Sequence, residues 1–224
     1  MPALLSVGVK EEFLLVDPVS RAVRPEGPQV AAAAAGDLGH HVGTELTRYQ
    51  LEGRTNPHTH LGEALKAACR AGGFGARSRR AGPAHRFSGS PITGLVAPVP
   101  LTPGLRYAES LSLFRALDDE QSACACHVHV GVADPREAIE VSNHLRPWLP
   151  TLTTLAAKSP YWDGRDTVCA SWRTITWGRW PVAGPPPYFD SPAHFKELVD
   201  PRKKAEAVRR TSFARRSSRT SRRS

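Results

Sequence analysis

The stretch CACHVHVG, residues 124–131, alternates apolar and polar side chains with the period of a half-buried β-strand. One face of such a strand would carry the cysteines and valines, and the other would carry His127 and His129 side by side. Two adjacent histidines can hold a metal ion or a phosphate, or they can form a hydrogen-bonded polar face. The stretch therefore predicts a strand backed by apolar side chains and leaves the role of the histidine pair open.

Length and composition limit the classes of protein that need to be considered. The chain has 224 residues, 40% of them hydrophobic, which is enough for one large domain or two small ones. It has no apolar run of about 18 residues and no N-terminal basic region followed by an apolar core, so neither a membrane span nor a secretory signal is expected. The four cysteines lack the spacing of a disulfide framework, which favours a cytoplasmic location.

The net charge of +9 comes from one end of the chain. Residues 202–224 hold ten Lys and Arg residues and one acid, whereas residues 1–201 hold 20 bases and 20 acids. We therefore predict a neutral body over 1–201 and a disordered basic tail over 202–224. Such a tail could bind nucleic acid only non-specifically, through the phosphates.

Two further stretches place carboxylates on strands. Residues 6–17 predict a strand on which Lys10 and Glu12 share a face, and residues 44–55 predict a second strand. Glu45 precedes Glu52 by seven residues, so a regular strand would put them on opposite faces. A bulge or bend could bring them together.

Three motifs in chain order resemble the type 2 glutamate–cysteine ligase family, the bacterial ATP-dependent carboxylate–amine ligases. They are VGVKEEFLLVDP at 7–18, ELTRYQLE at 45–52 and the His-x-His stretch, and similarity continues through 143–150 and 159–185. The resemblance implies an α+β fold with a glutamine-synthetase-like catalytic domain. In that domain a curved antiparallel sheet carries helices on its outside, and ATP and Mg²⁺ bind inside it.

The resemblance also implies a reaction. The γ-carboxylate of glutamate is phosphorylated by ATP, and the amine of cysteine, or another small amine, displaces the phosphate. Phosphoryl transfer needs Mg²⁺ against the phosphates, and Mg²⁺ prefers carboxylate oxygens. The residues implied are the metal ligands Glu12, Glu45, Glu52 and His127, the cofactor-binding His129, and the catalytic arginines Arg173 and Arg179. For the two arginines, structural ion pairing at the surface is the alternative.

The sequence also departs from the family pattern. Lys10 stands where the family has a metal-binding Glu, and its ammonium would repel Mg²⁺ and could pair with Glu12 instead. Residues 66–90 lose the family's helix-and-strand pattern. The resemblance stops near residue 201, whereas family members continue further, and the Arg/Ser tail resembles an out-of-frame translation. We hypothesise a truncated, inactive copy whose domain is incomplete at the C-terminus.

Two other functions remain open from the sequence. One is a non-catalytic metal-binding protein built on Cys124, Cys126, His127 and His129, although strand alternation puts the cysteines and histidines on opposite faces. The other is a nucleic-acid-binding module that uses the basic tail. The sequence leaves the oligomeric state open.

Overall fold

The structure is a computed structural model, and it describes residues 5–72, 84–86, 88–93, 97–181 and 183–199. The strands are β1 (Ser6–Val16), β2 (Val42–Thr44), β3 (Gln50–Arg54), β4 (Ala84–Arg86), β5 (Cys126–Gly131), β6 (Tyr161–Trp162) and β7 (Arg165–Asp166). The helices are α1 (Gly27–Leu38), α2 (Leu61–Gly72), α3 (Leu105–Phe114), α4 (Ala116–Asp119), α5 (Pro135–Leu145), α6 (Leu149–Leu155), α7 (Trp172–Trp177) and α8 (Pro192–Val199). Helix and antiparallel sheet are thus mixed, as the α+β prediction requires.

The chain divides into two compact units. Of the described residues, those within 5–132 and 150–184 form the first unit, and those within 133–149 and 185–199 form the second. In the second unit, α5 begins with the side chain of Asp134 accepting a hydrogen bond from the backbone N–H of Arg136, with Pro135 in the first turn. The Asn143 amide exchanges two hydrogen bonds with the backbone of Phe189, which fixes α5 against the segment before α8.

Strand β1 is the centre of the main sheet, which lies in the first unit. It pairs antiparallel with β3 along one edge and with β5 and β4 along the other, and β2 continues the sheet beyond β3. Helix α1 packs along β2 and β3, and α2 packs along β1 and β3. The core of this unit gathers Leu14, Val16, Tyr49, Val99 and Cys124.

The His-x-His stretch differs from its prediction in two ways. Strand β5 begins at Cys126, whereas Cys124 lies before it in the core. The predicted apolar backing of the strand is wrong, because Val128 and Val130 are 65% and 51% exposed. In the part of the chain that the structure describes, β5 pairs with β1 alone, so it is an edge strand open to solvent on both faces.

The predicted strand over 44–55 is two strands, β2 and β3, joined by a turn. The run of alanines forms α1, which continues through Gly36 and ends at Gly39, a residue with φ +53°. The predicted disordered tail and residues 73–83 and 87 lie outside the described residues. The described parts of the 66–90 segment include the end of α2 and strand β4, so a helix and a strand are present where the pattern was expected to be lost. None of the described helices is both long and apolar enough to cross a membrane.

Candidate functional site

The carboxylates implied as metal ligands meet around a lysine. In the pairing of β1 with β3, Glu12 lies opposite Glu52, so both side chains leave the same face of the sheet, and Lys10 leaves it two residues earlier. The Lys10 Nζ lies 2.7 Å from Glu52 Oε2, 2.8 Å from Glu45 Oε1 and 3.3 Å from Glu12 Oε1. We call Lys10, Glu12, Glu45 and Glu52 the Lys10 cluster.

Glu45 reaches the cluster because the chain bends directly after β2. The backbone N–H of Leu46 donates to Glu45 Oε2 at 2.8 Å, and the Thr102 hydroxyl donates to the Glu45 carbonyl at 2.5 Å. The buried Gln50 amide oxygen accepts from the Thr47 hydroxyl at 2.7 Å, which closes the turn. The bend that could bring Glu45 and Glu52 together is therefore present.

The second oxygen of each carboxylate has a partner other than Lys10. Glu12 Oε2 accepts from the Ala125 N–H at 2.9 Å, and Glu45 Oε2 accepts from the turn. Glu52 Oε1 lies 3.3 Å from Arg54 Nη1. All six carboxylate oxygens of the cluster therefore have a partner, and backbone or arginine donors orient the three carboxylates in addition to Lys10.

Burial and charge act in opposite directions on these groups. Burial alone would lower the pKa of Lys10, but hydrogen bonds to Glu45 and Glu52 raise it well above its ordinary value. Burial also opposes ionisation of Glu45, yet the Lys10 and Leu46 hydrogen bonds bring its pKa below the ordinary value. The pKa of Glu12 is raised, chiefly by burial and by the nearby charge of Glu45. Lys10 therefore stays charged at neutral pH.

The two histidines of β5 lie next to the cluster. His127 is opposite Lys10 in the β1–β5 pairing, and the rings of His127 and His129 are 5.9 Å apart. His127 is exposed overall but lines the cavity beside the cluster, and partial desolvation there lowers its pKa, which the positive charge of Lys10 lowers further. His127 is therefore neutral near pH 7, as a ligand or proton acceptor would need to be.

A cavity of about 310 Å³ opens beside the cluster. Its lining combines Lys10, Glu12, Glu45 and His127 with side chains that follow later in the chain. Trp177 and Trp180 form part of the cavity wall. Trp177 is the last residue of the short helix α7.

The structure places the two predicted catalytic arginines differently. Arg173 lines the cavity, its guanidinium carbon lies 5.9 Å from the ring centroid of Trp177, and its buried Nε has no hydrogen-bond partner in the described part of the chain. Arg179 is not part of the lining and pairs with Glu120 at 2.7 Å, both side chains being more than 40% exposed. Arg179 therefore forms a surface ion pair, which is the alternative named for the two arginines, whereas Arg173 lines the cavity.

Sequence reasoning missed Tyr107, Asp118 and Gln121, which also line the cavity. Asp118 is fully buried, and burial raises its pKa. The Gln121 amide oxygen accepts from the Trp180 indole N–H at 2.9 Å, which fixes that ring in the wall. The available signal was the acidic run at 118–120, which precedes the His-x-His stretch by a few residues.

The metal ion implied by the resemblance does not fit the cluster in this chain. Across the ranges that the structure describes, no group of three or more His, Cys, Asp or Glu side chains could hold a metal ion. The ammonium of Lys10 lies between the oxygens that would bind it. The alternative metal site built on cysteines is also unsupported, because Cys124 is buried in the core and its sulfur accepts a hydrogen bond from the Gln50 amide.

Comparison with known proteins identifies the family. A sequence model of glutamate–cysteine ligase family 2 matches residues 6–216. The chain is 43% identical over 195 residues to a protein of Nocardia farcinica, and 41% identical over 199 residues to one of Rhodococcus jostii, each provisionally named glutamate–cysteine ligase 2-1. The chain thus belongs to glutamate–cysteine ligase family 2, as the resemblance predicts.

The matches also set the extent of the likeness. They cover 87% of this chain but 50% and 53% of the two relatives, so the chain spans about half the length of the curated relatives it matches. The family match runs to residue 216, so the expectation that the resemblance stops near residue 201 is wrong. The disordered tail over 202–224 stays a prediction. In fold, the chain is similar to a bifunctional glutathione synthetase of Pasteurella multocida, with a TM-score of 0.54 and 11% identity over 70% of this chain and 24% of that one.

Proposed function

We propose that the cavity is the acid-substrate site of an ATP-dependent carboxylate–amine ligase, with glutamate as the acid and cysteine or another small amine as the acceptor. Family membership supports the ligase class. The observation that carries the substrate assignment is Arg173, which lines the cavity and whose buried Nε lacks a hydrogen-bond partner among the described residues. A buried arginine donor without a partner favours an anionic ligand such as a carboxylate.

In the proposed reaction an oxygen of the γ-carboxylate attacks the γ-phosphorus of ATP, and ADP leaves. The amine nitrogen then attacks the acyl carbon, and phosphate leaves. Arg173 would hold the acid or the charge that develops on it, and Trp177 and Trp180 would exclude water from the acyl phosphate. His129, on the exposed strand β5, stays a proposed contact for the nucleotide.

The chain as it stands is proposed to bind the acid without activating it. The three carboxylates that would bind a cation against the ATP phosphates are already ion-paired with Lys10. The cavity beside them keeps Arg173 and its tryptophan wall. Binding and turnover are thus separated in this chain, which supports the hypothesis of an inactive copy on grounds that do not involve its length.

Glutamate binding tests the proposal, because the wall tryptophans should report on an occupied cavity through their fluorescence. We expect saturable quenching or enhancement by glutamate. We expect roughly 10- to 100-fold weaker binding by Arg173→Gln, which corresponds to the loss of one charge-assisted hydrogen bond. Arg136→Gln, an exposed arginine on α5, is the matched control and should bind like the original chain. Folded protein that shows no saturable response to glutamate would overturn the proposal.

A further inference from the structure

We propose that the ammonium of Lys10 takes the place of a divalent cation, so that the Lys10 cluster is a closed, metal-free ion cluster. The cluster would then be one substitution away from binding a metal ion. This inference rests on the geometry of the cluster and does not depend on the substrate assigned to the cavity.

One ammonium group faces three carboxylates in the Lys10 cluster. A protonated lysine has three N–H donors and no acceptor. Glu12, Glu45 and Glu52 each place one oxygen within 3.3 Å of the Lys10 Nζ. A small divalent cation needs carboxylate oxygens at about 2.0–2.6 Å, in the same volume that the ammonium occupies. The lysine and a cation therefore exclude each other sterically and by charge.

Other donors also orient the carboxylates. Backbone N–H groups of Ala125 and Leu46 hold the second oxygens of Glu12 and Glu45, and Arg54 holds that of Glu52. Removing the Lys10 side chain would leave three oriented carboxylates around an empty centre. Hard divalent cations favour such an all-oxygen site with several negative ligands.

The cluster is enclosed but reachable. The side chains of Glu12, Glu45 and Glu52 are 10%, 16% and 12% exposed, and the adjoining cavity gives a path to solvent. A metal ion could enter if the ammonium were absent. The presence of Lys10, and not the surrounding fold, then excludes it.

Mn²⁺ titration followed by electron paramagnetic resonance tests the inference directly. Lys10→Ala should bind one Mn²⁺ ion at the cluster at least roughly 100-fold more tightly than the original chain binds Mn²⁺ anywhere. The double variant Lys10→Ala with Glu52→Gln should lose it again. Lys66→Ala, which removes an exposed lysine on α2, should behave like the original chain.

Two outcomes would overturn the inference. One is an Mn²⁺ site in the original chain that Glu52→Gln abolishes, and the other is a folded Lys10→Ala that gains no site. If Lys10→Ala does not fold, reductive methylation of the original chain decides. The Lys10 amine should react at least roughly tenfold more slowly than the exposed Lys66 amine, because its proton is held by carboxylates. Equal reactivity would show that the ammonium is not held in the cluster.

Discussion

Replacing Lys10 by methionine should destabilise the protein strongly, although the two side chains are similar in length. The substitution leaves Glu12, Glu45 and Glu52 close together without the cation that bridges them. Three like charges would then repel one another in a site that water reaches poorly. We expect the free energy of unfolding at pH 7 to fall by about 2–4 kcal/mol.

The magnitude follows from the three contacts. At an effective dielectric constant of about 20, each charge pair at the observed separations has a gross attraction of about 5–6 kcal/mol, most of which desolvation offsets. Breaking a buried ion pair costs about 3–5 kcal/mol. The four side chains of the Lys10 cluster keep 10–22% exposure, so solvent screening reduces the expected loss.

Urea unfolding followed by tryptophan fluorescence measures this loss. The matched control is Lys66→Met, an exposed lysine on α2, which should change stability by less than about 0.5 kcal/mol. Adding Glu45→Gln to Lys10→Met should recover at least about 1 kcal/mol, since one of the repelling charges is removed. A loss of stability in Lys10→Met no larger than in the control would show that Lys10 does not bridge the three carboxylates.

Three further predictions test the cluster and the fold around it. The Lys10→Met penalty should shrink as pH falls from about 7 to 4 in the same unfolding assay. In the original chain the lowered pKa of Glu45 contributes stability that is lost as pH falls through that pKa. In the variant, protonation of the carboxylates relieves their mutual repulsion. A Lys10→Met penalty that does not change with pH would contradict the ion pairing of Lys10 with Glu45. Gly27→Ala should lower the free energy of unfolding by about 1–3 kcal/mol, because a Cβ there would meet backbone oxygens at 2.5 and 2.8 Å. Gly36→Ala in the same helix, where nothing lies within 4 Å of the added Cβ, should stabilise the protein by up to about 1 kcal/mol. Equal effects of the two substitutions in thermal unfolding would contradict this. Burial raises the pKa of Cys124 to about 12, so its thiol should not react with iodoacetamide at pH 8. Mass spectrometry after the treatment should find the exposed Cys69 alkylated and Cys124 unmodified. Equal labelling of the two cysteines would place Cys124 outside the core.

The central strand and the shared face of Lys10 and Glu12 were predictable from the sequence, because a period of two fixes which side chains share a face of a sheet. The position of Glu45 was left open, because it depends on a turn closed by Gln50 and Thr47. Strand periodicity carries no information about such a bend.

The solvent exposure of β5 could not be predicted from its alternating pattern. Alternation shows that Val128 and Val130 share a face, but whether that face is covered depends on which other elements pack there. The cavity was foreseen only in part for the same reason. Arg173 and the tryptophans carried recognisable chemistry, whereas Asp118 and Gln121 enter the wall through tertiary packing.

ATP-dependent phosphate release tests whether Lys10 closes the position of the cation that the proposed reaction would need. The assay would contain Mg²⁺, glutamate and cysteine, with the original chain and Lys10→Glu each shown to be folded by a cooperative unfolding transition. We expect no substrate-dependent phosphate release from the original chain at any Mg²⁺ concentration. Release from the original chain that saturates with glutamate and cysteine would contradict this expectation, because the reaction would then proceed with the ammonium in place.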